Sequence, residues 1–146
     1  MKPVIFLRIA SVLTFIHAVL HTIGGVFSSP DPGPQQTAVS AMKANTFQVF
    51  GATRSYWDFH IGFGLAVSIF LTAEAIVFWQ LASMAKTDAL RLRPILITFM
   101  VAYLVFAVVS WTYFFPPPVI TEVFITLCLG GAIATSKSTA TAVHPS

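Results

Sequence analysis

Charge is what this sequence has least of. Only 8 Lys and Arg and 5 Asp and Glu stand among 146 residues, or 9%, where an average soluble domain carries about 25%. A soluble fold of this size leaves much of its surface in water, and a chain that is 56% hydrophobic has too few polar residues to cover that surface. An ordinary soluble domain is excluded, and lipid becomes the expected solvent for most of the chain. The basic excess, +3 with a pI near 9.4, does not make a nucleic-acid surface, because the cations are scattered and form no stripe. Cysteine is nearly absent too. Cys128 stands alone in an apolar run, which excludes an intrachain disulfide and a thiolate metal site and leaves a small core or lipid-facing residue. No Walker loop, dinucleotide glycine fingerprint, nucleophile elbow, internal repeat or low-complexity domain is present. Gly62-Phe63-Gly64 lies in an apolar run, where it means close packing rather than phosphate binding.

What the chain does have is long hydrophobic runs. Four of them, at about 4–27, 59–81, 94–115 and 119–134, approach or reach the roughly 20 residues that cross a bilayer as a helix. Pro94 suits a helix start, where a missing N–H costs nothing. Pro116-Pro117-Pro118 is expected to stop the third helix and form a stiff turn before the fourth. The first run has the basic start of a signal peptide, but it is too long, holds His17 and His21 and meets no clean A-x-A site, so it reads as a retained helix.

Basic residues orient the helices. Lys2, Arg8, Lys86, Arg91, Arg93 and Lys137 fall on one side, against Lys43 and Arg54 on the other. Both termini are therefore expected in the cytoplasm, and the first loop and the proline turn outside. The expected fold is all-α: an up-down-up-down bundle of four transmembrane helices with a short amphipathic helix in the first outer loop. That loop opens with Ser28-Ser29-Pro30-Asp31-Pro32-Gly33-Pro34, which is turn chemistry throughout. From Thr37 onward Val39, Met42 and, farther on, Phe50 keep near-helical spacing, which suggests a helix lying on the membrane or capping the bundle. The tail 136–146, with His144, is rich in Ser, Thr and Ala and is expected to be a disordered cytoplasmic extension of the 1–135 transmembrane domain.

Ionisable residues within membrane spans are costly and mark candidate sites. They are His17, His21, Asp58, His60, Glu74 and Glu122. From the helical rise, His21 lies roughly 9 Å below the outer end of its span, His60 roughly 5 Å and Glu122 roughly 6 Å. Three helices thus bring His, His and Glu to nearly one level, with His17 a turn deeper and Arg54, Trp57 and Asp58 just above. Periodicity groups them further. His17, His21 and Gly24 share one helix face, as do His60, Gly64, Ser68, Leu71 and Glu74, and again Glu122, Thr126 and Gly130. Gly24-Gly25 and the Gly62/Gly64 pair would let the first two helices approach closely. Glu74, alone in its inner half, is expected to snorkel or to pair with Arg8.

This cluster admits three readings. Its members pair and hold the bundle together; or they anchor a quinone-like or sterol-like lipophile or relay protons; or His21, His60 and Glu122 ligate a metal, with His21 and His60 as axial ligands of a haem. No cofactor is established among haem, metal and quinone. The expected partners are the bilayer and either further membrane subunits or a second copy of the chain.

Gly51-Ala52-Thr53-Arg54-Ser55-Tyr56-Trp57-Asp58-Phe59-His60-Ile61-Gly62-Phe63-Gly64-Leu65, together with His17-x3-His21-Thr22-x-Gly24-Gly25, resembles a group of small bacterial four-helix membrane proteins of unassigned activity. The resemblance covers about two thirds of the chain. It implies a multi-pass protein of the bacterial inner membrane. The plan with a longer first outer loop is also similar to DoxX-like proteins, some of them linked to quinone or thiol redox systems, but in architecture only, and no catalytic motif transfers. The four-helix sterol-isomerase architecture is an analogue whose pattern is not matched. The expectation is a polytopic membrane protein with a polar His/Asp/Glu cluster in its outer half; a membrane redox or lipid-modifying enzyme and an accessory subunit are the alternatives.

Overall fold

The structure, a computed structural model, describes residues 2–136. It is all-α apart from one small hairpin. Helix α1 spans Lys2–Leu20 and runs on as a π-helical stretch, His21–Val26. A short α2, Pro34–Ala44, precedes two strands, β1 Thr46–Val49 and β2 Ala52–Ser55. The long helices α3 Tyr56–Met84, α4 Arg93–Tyr113 and α5 Pro116–Thr135 follow. Four helices are long and apolar enough to cross a membrane: α1 with its π-helical extension, α3, α4 and α5.

Local chemistry sets the boundaries. Ser55 and Asp58 form a reciprocal capping box at the start of α3: the Asp58 carboxylate accepts the Ser55 N–H at 2.7 Å, and the Ser55 hydroxyl accepts the Asp58 N–H at 3.1 Å. The helix therefore begins at Tyr56, three residues before the expected Phe59. Pro116, Pro117 and Pro118 do not precede α5; they are its first turn. First-turn N–H groups have no intrahelical acceptor, so proline loses nothing there, and the reversal after α4 falls on Phe114 and Phe115 instead.

The loop between α1 and α3 departs most from expectation. Its helix starts at Pro34, again with proline in the first turn, and ends at Ala44, where both the backbone N–H and the side-chain amide of Asn45 donate to the Ala41 carbonyl. Phe50 lies on no helix. Thr46–Val49 pairs antiparallel with Ala52–Ser55, and the tip is Phe50-Gly51 with φ of 47° and 80°. Two residues of positive φ match the twist of paired strands, and Thr46, Val49 and Thr53 are β-branched.

By its contacts the chain divides into two compact units: Ala18–Leu71, and the stretches on either side of it. In the flanking unit, α4 and α5 pack along their length. Ser110 meets Glu122, Met100 meets Gly130, and Arg93 donates to the carbonyls of Ile133 and Ser136. Ser136, expected in a disordered tail, is buried, because it caps α5 and receives Arg93; the rest of that tail, with His144, lies outside the described residues. Between α1 and α3, Arg8 donates to Ser83 at 3.1 Å and Ser11 to the Ala75 carbonyl at 2.7 Å. Leu7, Phe78, Leu96, Ile125 and Leu129 make the fully buried apolar core. A Cβ on Gly131 would come within 2.8 Å of the Phe6 ring, so α1 and α5 touch through that glycine.

In the Ala18–Leu71 unit, Thr22 donates to Ser68 at 2.8 Å and Val26 packs on Gly64, where a Cβ would stand 2.7 Å from Val26 Cγ2. Of the four glycines expected at a close approach, only Gly64 has one; nothing lies within 4 Å of a Cβ at Gly24 or Gly62, and Gly25 meets only the ring of His21.

Exposure is inverted. Glu122, Thr14 and Ser110 are fully buried, whereas Ile69, Phe70, Val105, Val108, Phe124 and Leu127 are exposed.

Candidate functional site

The buried polar groups concentrate in the flanking unit, on α1, α4 and α5 and at the end of α5, with the part-buried Glu74 of α3 among them. Ser11, Thr14 and His17 recur every three residues along α1 and are all buried. On α4, Tyr103 and Ser110 stand two turns apart on one face, about 10 Å along the axis.

The first layer joins three helices. The Tyr103 hydroxyl donates to Glu74 Oε2 at 2.7 Å and lies 3.4 Å from Thr14 Oγ1. A phenol has one proton. With it directed to Glu74, the threonine hydroxyl is the donor to Tyr103, giving a directed chain Thr14 to Tyr103 to Glu74. The expected pairing of Glu74 with Arg8 is not formed. Arg8 instead sits 3.3 Å over the Trp79 ring and donates to Ser83, one turn farther along α3, because the flat guanidinium stacks on an aromatic face while still donating in its own plane. Glu74 is left to the phenol.

The second layer lies nearer the α4–α5 turn. Ser110 donates to Glu122 Oε1 at 2.8 Å. Glu122 Oε2 is buried and, among the described residues, has no hydrogen-bond partner. Thr126 donates to the Glu122 backbone carbonyl, not to its carboxyl. Between the layers, the buried His17 ring stacks on Phe106 with centroids 6.3 Å apart and planes 15° from parallel.

The remaining candidates belong to the Ala18–Leu71 unit and have separate partners. His21 Nε2 lies 3.1 Å from the Gly64 carbonyl. A carbonyl only accepts, so Nε2 carries a proton. The rings of Trp57 and His60 lie 5.1 Å apart with planes tilted by 30°, and His60 is exposed. Asp58 caps α3, and Arg54, exposed on β2, donates to the Thr53 carbonyl. Among the described residues, no group of three or more His, Cys, Asp and Glu side chains is arranged to hold a metal ion. The proposed metal set of His21, His60 and Glu122, and a haem held by His21 and His60, therefore gain no support.

Thr14, Tyr103 and Ser110 belong to these polar layers, and the ionisable inventory passes over them. Two of them had a signal: Ser11, Thr14, His17 and His21 keep helical spacing, and a tyrosine in the middle of an apolar run, Tyr103, needs a hydrogen-bond partner. Comparison with protein-family models, with curated proteins and with solved structures finds no match.

Proposed function

We propose that the chain is a multi-pass membrane protein, an up-down-up-down four-helix bundle with cytoplasmic termini, in which Glu122 receives the hydroxyl of a lipophilic molecule of the quinol or sterol type. The inverted exposure supports the membrane reading, since the buried Glu122 carboxyl and buried hydroxyls behind a skin of Ile, Val and Phe suit lipid and not water. The order of contacts supports the topology: α5 is met backward as α4 runs forward, and Thr14 and His17 of α1 meet Tyr103 and Phe106 of α4 in the same direction.

The observation that carries the ligand reading is Glu122 Oε2. A buried polar atom without a partner costs about 1–3 kcal/mol, and a site for a hydroxyl donor offsets that cost when filled. The Glu74 arm favours a structural reading instead, because Tyr103 and Thr14 already pair there. No reaction is assigned to either arm.

The test uses purified protein in lipid nanodiscs and two probes, a short-chain benzoquinol and cholesterol. Wild type is expected to bind one of them saturably, and Glu122→Met, of similar size, to lose that binding while keeping helicity and melting temperature. Equal binding by wild type and Glu122→Met, or binding of neither probe, would remove the ligand reading.

A further inference from the structure

The hairpin between α2 and α3 carries its least water-compatible residue at its most exposed point. Phe50 is exposed to 107% of its reference area and takes a φ of 47°. That left-handed conformation is rare for a bulky side chain, and the first position of such a two-residue turn normally holds Asn, Asp or Gly. A phenylalanine there combines backbone strain with a full apolar side chain outside the fold. Its neighbours across the hairpin are polar: Gln48 donates to Thr53 at 2.7 Å. Water at the tip would therefore favour almost any other residue.

The base of the hairpin fixes where the tip can reach. Phe47 packs on Tyr56 at 5.0 Å and on Phe59 at 5.4 Å, and Phe59 on Phe63 at 6.0 Å, a line of rings running from β1 into the apolar body of α3. Lys43 Nζ stands 4.9 Å over Trp57. Trp and Tyr beside Lys and Arg at the first turn of a span is the composition of a membrane interface. Helix α3, with 29 residues, is about 43 Å long against a hydrocarbon core of about 30 Å, so roughly 13 Å of it lies in the interfacial layers. Each four-residue strand extends about 13 Å, which keeps the tip within reach of the lipid surface.

We infer that the Phe50 tip of the β1–β2 hairpin inserts into the headgroup–acyl boundary of the outer leaflet and anchors the outer loop to lipid. The inference rests on the membrane-crossing reading above. Seated in lipid, the ring recovers the apolar transfer that the exposed turn forgoes, and the two positive φ angles keep the hairpin tight enough to present one side chain.

The test places a nitroxide at Phe50→Cys on a Cys128→Ala background in phospholipid vesicles, with Ile69→Cys in the exposed middle of α3 and Gln36→Cys on α2 as references. Collision rates are read with oxygen, which enters lipid, and with a nickel chelate, which stays in water. The oxygen-to-nickel ratio is expected to be several-fold higher at 50 than at 36, approaching that at 69. A ratio at 50 equal to that at 36, with 69 in hydrocarbon, overturns the inference and leaves the spanning reading intact. Water-like ratios at both 50 and 69 overturn both. The native side chain is tested through Phe50→Asn. In water it would relieve the turn and raise the melting temperature; in lipid it is expected to lower it.

Discussion

Tyr103 and Ser110 do the same work for two different carboxyls, and the consequences of losing them differ. Tyr103→Phe removes the bond to Glu74 and leaves Thr14 without its acceptor. Hydrogen bonds between membrane helices contribute on average less than 1 kcal/mol, and a loss of about 1 kcal/mol is expected for this pair of contacts, measured by unfolding in mixed micelles. Ser110→Ala takes from Glu122 its only side-chain donor among the described residues. Glu74, left bare by Tyr103→Phe, is only half-buried and can reach solvent, whereas Glu122 is fully buried, where an unpartnered polar group costs about 1–3 kcal/mol, so Ser110→Ala should be the more damaging change. Adding Glu122→Met to it should restore much of the stability, since a half-satisfied polar pair is worse than an apolar one. Failure of that rescue would mean that Glu122 has a further partner in the folded protein.

Among the elements, α3 is where local signals act most visibly. Its start is held by the Ser55–Asp58 box, so Ser55→Ala is expected to cost about 1 kcal/mol and to fray the first turn, seen as faster amide exchange near Tyr56. Two glycines two residues apart on the same helix, and so on nearly opposite faces, should respond differently. Gly64→Leu would drive a side chain into Val26, whereas Gly62→Leu meets open space; only the former should lower the melting temperature. The apolar runs were legible because unbroken apolar stretches of about 20 residues fit a long helix, and each run became one helix long and apolar enough to cross a membrane. The first loop was legible only in part. Of the Ser28–Pro34 stretch read as turn, Pro34 instead opens α2, since proline suits a first helical turn; and spacing alone assigned Phe50 to a helix, because short apolar patterns fit helix and strand alike and the Phe50-Gly51 turn bears an atypical first residue. The site was half legible. The inventory of ionisable groups found Glu122 and His17, both buried. It missed Tyr103 and Ser110, because hydroxyls carry no charge to betray them, and of its two expectations for Glu74, snorkelling or pairing with Arg8, the pairing does not form because Trp79 offers the guanidinium a better surface.

The whole molecule turns on an inversion: Glu122 and several hydroxyls are buried, while many Phe, Ile and Val side chains are exposed. The proposed membrane would resolve that inversion, and the distribution of Lys and Arg would then give it a direction. The loop between α3 and α4 carries Lys86 and Arg91, with Arg91 paired to Asp88 at 3.4 Å, and Arg93 opens α4; the segment with α2 and the hairpin has only Lys43 and Arg54 as basic residues. Single-cysteine labelling on a Cys128→Ala background, with a membrane-impermeant maleimide on intact spheroplasts, reads this directly. The account predicts that Thr37→Cys is labelled from outside and Thr87→Cys only after the membrane is opened. Labelling of both positions from outside, or of Thr87→Cys alone, would contradict it.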